Sequence, residues 1–172
     1  CASGASYAGL ADGEHTFTVR ATDAAGNTDG SPASYSWTVD TVAPDTQLDS
    51  GPPSPTNSTS ASLTFSSSDG TASFECRLED GAWGPCSSPQ GYSSLAEGAH
   101  TFQEREKDPA GNVDTTPPSH VWTIDTTPPD TSITSGPSGP TNDDSPSFGF
   151  TGTGSPASFE CRINVGAWGA CV

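Results

Sequence analysis

The chain has 172 residues, with 21 acidic side chains against five basic ones, a formal net charge of −16 and 30% hydrophobic residues. So few lysines and arginines exclude a nucleic-acid partner, because neutralising phosphates needs cationic side chains. The lack of any long apolar run excludes a membrane-spanning helix in this stretch. Low hydrophobicity with high net charge is the composition of a disordered chain, but the order of the residues overrules it.

Residues i and i+85 are identical at 44 of the 87 positions that can be compared, without a gap. The matches come in blocks: "GLADGEHTF" faces "SLAEGAHTF", "DAAGNTD" faces "DPAGNVD", and "WTVDTVAPDT" faces "WTIDTTPPDT". A disordered chain has no need of such spacing, whereas a repeated domain does. The proline-bearing tracts Asp40–Thr46 and Asp125–Thr131 read as junctions, since proline cannot donate a ladder hydrogen bond. This cut gives the C-terminal part of one repeat (1–40), a complete repeat (41–125) and the N-terminal part of another (126–172).

In chain order, the apolar residues alternate with period two and nowhere follow helical spacing. "HTFTVRA" places Phe17, Val19 and Ala21 on one face, and "SYSWTV" follows it with Trp37 as a core residue. "ASLTF" aligns Ala61, Leu63 and Phe65; "SFECRL" aligns Phe74, Cys76 and Leu78, with Glu75 and Arg77 outward. "HVWTID" aligns Trp122 and Ile124, and "TSIT" opens the next repeat with Ile133. Turn sequences such as "SSDG", "EDGAWG" and "DPAGN" separate these runs. About seven short strands per repeat and no helix predict an all-β fold of tandem β-sandwiches. One strand breaks the pattern: Glu104 and Glu106 stand where the first copy has Val19 and Ala21. Three explanations are open, namely an edge strand, a wetter face, or a partner in Arg77 or Arg105, since an unpaired buried carboxylate is costly.

The stretch "LADGEHTFTVRATDAAGNTDGSPASYSWTV" resembles the last strands of fibronectin type III and bacterial Ig-like repeats, and residues 125–171 resemble the start of such repeats. The resemblance implies a secreted array of Ig-like sandwiches, of the kind found in stalks and adhesins of large bacterial surface proteins. It also implies calcium where such domains meet. The candidate ligands are Asp23, Asp29, Asp108 and Asp114 beside the two glycine turns, and Asp40, Asp45, Asp125 and Asp130 at the junctions. The competing reading is that each aspartate caps its own turn. It is the stronger of the two, because calcium needs six to eight oxygens and no dense carboxylate loop is present.

The cysteines carry a separate signal. Cys76 and Cys86, like Cys161 and Cys171, stand ten residues apart around a tight turn, which suits a disulfide stapling a hairpin. Zinc-ligand spacing is missing, and disulfides belong to an oxidising compartment. Cys1 is equivalent to Cys86 and Cys171, so its partner is expected outside this segment.

Chemistry finds little support. His15 and His100 are equivalents at strand starts and read as hydrogen-bonding corner residues. The single lysine, Lys107, is matched by Thr22, which excludes a repeat-wide isopeptide crosslink. Asn57 opens an "NST" acceptor sequence that its equivalent lacks. Trp83 and Trp168, in the stapled turns, are candidates for stacking on a sugar or a protein, with packing over the disulfide as the plainer reading.

The sequence is therefore read as a non-enzymatic structural repeat of an extracellular stalk, adhesin array or filament. Its partners are neighbouring repeats or identical subunits head to tail, with surface glycans as a further candidate. The alternative is a carbohydrate- or protein-binding module appended to a secreted enzyme. Residues 1–40 and 126–172 each carry half of a sandwich, so each is expected to be completed by a segment like the other.

Overall fold

The structure, a computed structural model, describes residues 4–71, 73–154 and 158–171; Cys1 lies outside them. The chain divides into two units, Cys1–Ile124 and Asp125–Val172.

Among the described residues of the first unit nine strands form: β1 (Gly13–Val19), β2 (Ala33–Val39), β3 (Thr46–Ser50), β4 (Ala61–Ser67), β5 (Ser73–Leu78), β6 (Gly84–Pro85), β7 (Gln90–Tyr92), β8 (Gly98–Lys107) and β9 (Ser119–Ile124). β3, β4 and β7 make one antiparallel sheet and β6, β5, β8 and β9 a second, in those orders. The period-two pattern decides which side chains meet between them, because successive residues of a strand point to opposite faces. Ala61, Leu63 and Phe65 of β4 pack against Cys76 of β5, Phe102 of β8, and Trp122 and Ile124 of β9. Leu63, Phe102 and Trp122 are each 0% exposed. Rings set the spacing of the layers: Phe65 meets Phe74 edge-on at 4.9 Å between centroids, and Tyr92 meets Phe102 at 6.1 Å. Seven strands over residues 46–124, two facing sheets and one small core give the Ig-like sandwich that the alternation predicts.

The first copy corrects the expectation for its own strands. Among the described residues β1 and β2 pair only with each other, in register from Gly13–Val39 to Val19–Ala33. Without a second sheet over them, Val19 is 52% exposed, Ala21 is exposed, and Phe17 and Trp37 are only half-buried. Residues placed inward by pattern are buried only where something covers them.

Glu104 and Glu106 require a second correction. Their strand is no edge, since β8 lies between β5 and β9. Nor is the face wet, because both glutamates are 0% exposed. Arg77 and Arg105 point to the other face, where Arg77 donates to Gln103 and Arg105 pairs with Glu75.

Among its described residues the second unit holds two antiparallel pairs, β10 (Thr131–Ser135) with β11 (Gly149–Gly152) and β12 (Glu160–Cys161) with β13 (Gly169–Ala170). Phe150 and Phe159 touch at 5.0 Å between centroids, while Ile133, Phe148 and Ile163 are exposed.

The repeat supplies an internal control for what the second sheet contributes. Phe102→Ala is expected to destabilise the sandwich by about 3–5 kcal/mol, as for large core truncations. Phe17→Ala, the same residue on the equivalent but uncovered strand, is expected to cost less than about 1 kcal/mol at micromolar concentration. Urea unfolding followed by tryptophan fluorescence compares the two.

Candidate functional site

Three places carry side chains whose arrangement exceeds ordinary packing: the stapled hairpin, the aspartate turns at the junction, and the acidic end of the core.

The staple forms where the spacing puts it. Cys76 and Cys86 are joined with their Cα atoms 5.7 Å apart, and Cys161 and Cys171 with theirs 5.1 Å apart, both within the range a disulfide spans. The turn they close folds Trp83 onto the outer face of β5 and β8. There the guanidinium carbons of Arg77 and Arg105 lie 4.6 and 4.4 Å from its ring centroid. This is cation–π distance, of order 0.5–2 kcal/mol for each contact. Gln103 Oε1 accepts from Arg77 Nε at 2.8 Å, and Glu75 Oε2 accepts from Arg105 Nη2 at 2.7 Å, so the layer is knitted laterally too. Trp83 is thus half-buried in packing over arginines, whereas Trp168 is 58% exposed with Arg162 at 4.4 Å. Sequence reasoning placed the tryptophan by its disulfide and missed the arginines. The signal was the joint recurrence of Arg77 with Trp83 as Arg162 with Trp168, and of Arg105 as Arg20.

The aspartates of the two glycine turns serve the backbone. Asp23 Oδ1 accepts from the amides of Ala25 and Asn27, and its Oδ2 from Asn27 Nδ2. Asp108 does the same with Gly111 and Asn112. The glycine between has a positive φ in both copies, 90° at Gly26 and 102° at Gly111, which a side chain resists. The Asn27 side chain, followed by backbone donors, holds the Asp23 carboxyl below its ordinary range. Burial raises that of Asp108, but the Asn112 side chain and nearby amides outweigh it and bring the pKa down. Asp29, Asp40, Asp125 and Asp130 accept from the amides of Ser31, Val42, Thr127 and Thr131 respectively, and Asp45 is exposed. Among the described residues no three His, Cys, Asp or Glu side chains are grouped to hold a metal ion.

Asp114 and Asn112 do more. Asp114 is buried, and its Oδ2 accepts from both the amide and the hydroxyl of Thr46, the last residue of the junction. Its Oδ1 accepts from the amide of Thr116 at 2.7 Å. Burial works to raise its pKa, but these hydrogen bonds, Thr46 first, win and lower it. Asn112 Nδ2 also donates to the carbonyl of Asp40 at 3.1 Å. Both ends of the 40–46 tract are therefore fastened to the turn after β8.

The histidines behave as corner residues. His15 Nε2 bonds the carbonyl of Ala11 at 2.7 Å, and His100 Nε2 that of Ala96 at 2.8 Å. The Ala96 carbonyl raises the His100 pKa against the effect of burial, and Glu79, 2.9 Å from Nδ1, adds to it.

At the acidic end of the core, neither oxygen of Glu104 has a hydrogen-bond partner, and Glu106 is held on one side only, by the Ser67 hydroxyl. Burial, with the charges of Asp114 and Asp49, pushes Glu104 up to about 7. Burial also raises Glu106, against the Ser67 hydrogen bond, and Asp69 and Asp114 add to the rise.

Residues 5–41 match the family model of the bacterial Ig-like domain. The matched segment spans the β1–β2 hairpin and the first two junction residues, and its counterpart at i+85 covers β7 to β9 of the complete sandwich. Bacterial Ig-like domains are structural or binding modules and in general non-catalytic. No curated protein matches the chain. No helix among the described residues is long and apolar enough to cross a membrane.

Two outcomes follow. A group whose pKa is raised by folding keeps its proton longer in the folded state, so stability falls as pH rises from the ordinary glutamate value of 4.5 to about 7, then levels off. The melting temperature of the sandwich is expected to drop across that window, and Glu104→Gln to flatten the drop and melt roughly 5 °C higher at pH 8; calorimetry over pH 4–8 measures both. For the staple, Cys76→Ser with Cys86→Ser is expected to cost about 2–3 kcal/mol. Intact mass after alkylation without reductant is expected to show Cys76, Cys86, Cys161 and Cys171 protected.

Proposed function

We propose that this chain is a non-catalytic spacer segment of an extracellular tandem array, such as a bacterial stalk, adhesin or filament. Its repeats meet at 40–41 and 125–126, and its partners are neighbouring repeats or identical subunits head to tail. The observation that carries this reading is the fastening of the junction: Asn112 holds the carbonyl of Asp40 and Asp114 holds Thr46. A proline tract anchored at both ends transmits orientation from one repeat to the next, where a free linker would not. The staples support an oxidising location, and a net charge of −16 keeps such a segment soluble.

The aspartate turns keep their shape through their own amides. On this reading the melting temperature is the same in EDTA and in millimolar calcium, as differential scanning fluorimetry will show. Small-angle scattering tests the spacer role: Asn112→Ala combined with Pro44→Gly is expected to broaden the distribution of dimensions, and an unchanged profile would remove the mechanical reading.

The exposed ring of Trp168 favours a second reading, a carbohydrate- or protein-binding module of a secreted enzyme. A glycan array with Trp168→Ala as control separates the two, since the spacer reading expects no signal that depends on this ring.

A further inference from the structure

We infer that Glu104, Glu106 and Asp114 form a proton-operated latch between the two sheets of the complete repeat, holding the 40–46 tract while Glu104 is neutral and releasing it when Glu104 ionises. The inference rests on the spacer reading and deepens it, because it makes the fastened junction conditional on pH.

The latch begins with two neighbouring hydroxyls. Thr46, the first residue of β3, is the register partner of Ser67, the last of β4. Each reaches across the sandwich. The amide and hydroxyl of Thr46 donate to Asp114 Oδ2, and the Ser67 hydroxyl donates to Glu106 Oε2. The Asp114 amide in turn donates to the carbonyl of Glu106 at 3.0 Å. One sheet thus grips the acidic end of β8 and the turn after it at two adjoining points.

Glu104 lies behind this grip. It is 0% exposed and neither carboxyl oxygen has a hydrogen-bond partner, while Glu106, equally buried, has one oxygen unpartnered. Opposite them β5 offers only Cys76 and Phe74. The charges that act on the pair are those of Asp114, of Asp49 on β3 and of Asp69 after β4, all negative. Asp108 is occupied by Gly111 and Asn112. On β9, His120 Nε2 is engaged by the carbonyl of Pro52, and His100 at the start of β8 by Ala96 and Glu79. Arg77 and Arg105 lie over Trp83 on the opposite face, and Lys107 is exposed. The proton is what neutralises Glu104 there, and burial, ahead of the neighbouring charges, holds it up to a pKa of about 7.

Loss of that proton sets a second buried charge beside Asp114, and like charges repel strongly away from water. Relief comes from the part that can give. β8 is hydrogen-bonded to β5 on one side and β9 on the other, whereas β3 is a five-residue edge strand paired with β4 alone among the described residues. β3 therefore yields first. Thr46 parts from Asp114, water reaches the carboxylates, and the 40–46 tract loses its second anchor. The junction is firm in mildly acidic surroundings and loosens above neutral pH. Val19 and Ala21 stand in place of the two glutamates in the first copy, so the device belongs to the complete repeat.

Hydrogen exchange of the 172-residue chain, resolved by residue with NMR at pH 5 and pH 8 and corrected for the intrinsic rate, tests this. The Thr46 amide reports the latch, and the Leu95 amide, held by the Thr59 carbonyl at 3.0 Å, reports the sandwich as a whole. From pH 5 to pH 8 the protection of Thr46 is expected to fall about tenfold more than that of Leu95, as for a local opening. Glu104→Gln is expected to keep Thr46 protected at both pH values. Asp114→Asn, which removes the charge that Glu104 repels, is expected to flatten the profile too. Equal losses at Thr46 and Leu95, no loss at Thr46, or either variant keeping the original profile would overturn the inference. Exchange reads the latch within one repeat, whereas scattering of the Asn112→Ala, Pro44→Gly variant judges the spacer reading, so either can fail alone.

Discussion

Everything in this chain turns on whether a sheet has a second sheet over it. β8–β9 and β1–β2 have nearly the same inward residues at the centre, Phe102 and Trp122 in one and Phe17 and Trp37 in the other. In the first pair β4 covers them and they are fully buried; in the second they are half-exposed. Burying such rings stabilises a domain by roughly 2–3 kcal/mol each, a large part of what a small sandwich has at its disposal. The covering strand, more than any single residue, makes the difference between a domain and a hairpin.

So thin a core explains where the other bonds are found. The Cys76–Cys86 staple holds β6 against β5, and Trp83 with Arg77 and Arg105 forms a second packed layer on the outside of the same strands. The opposite end is fixed by Asp114, whose carboxylate joins β3 to the turn after β8. The staple is anchored in the core itself through Cys76, while the tryptophan–arginine layer covers the outer face and Asp114 ties down β3. Asp114, with Asn112, also fastens the 40–46 tract to the turn after β8.

The acidic end of the core shows what one sister tolerates that the other avoids. Val19 and Ala21 suit a buried face, while Glu104 and Glu106 on the equivalent strand are sealed in without a cation. A buried carboxylate in this position retains its proton toward neutral pH, since desolvation disfavours the charged form. Burial of these two carboxyls makes β8 contribute more stability below neutral pH than above it, a dependence that β1, with Val19 and Ala21, lacks.

The sequence by itself determined the strands and the staples, because each is local: alternation fixes a strand, and ten residues around a tight turn bring two sulfurs within reach. It also determined that His15 and His100 are corner residues, since each bonds a carbonyl four residues away. What only the tertiary structure decided depends on residues far apart in the chain. Alternation says that Glu104 faces inward but not that β8 is central, so its burial was legible only once β5 and β9 flanked it. Trp83 meets Arg105 across 22 residues, and Asp114 meets Thr46 across 68. Covering a face is likewise a property of two sheets together, which is why Val19 and Phe17 follow the pattern of a core and yet the first lies open and the second is only half-buried.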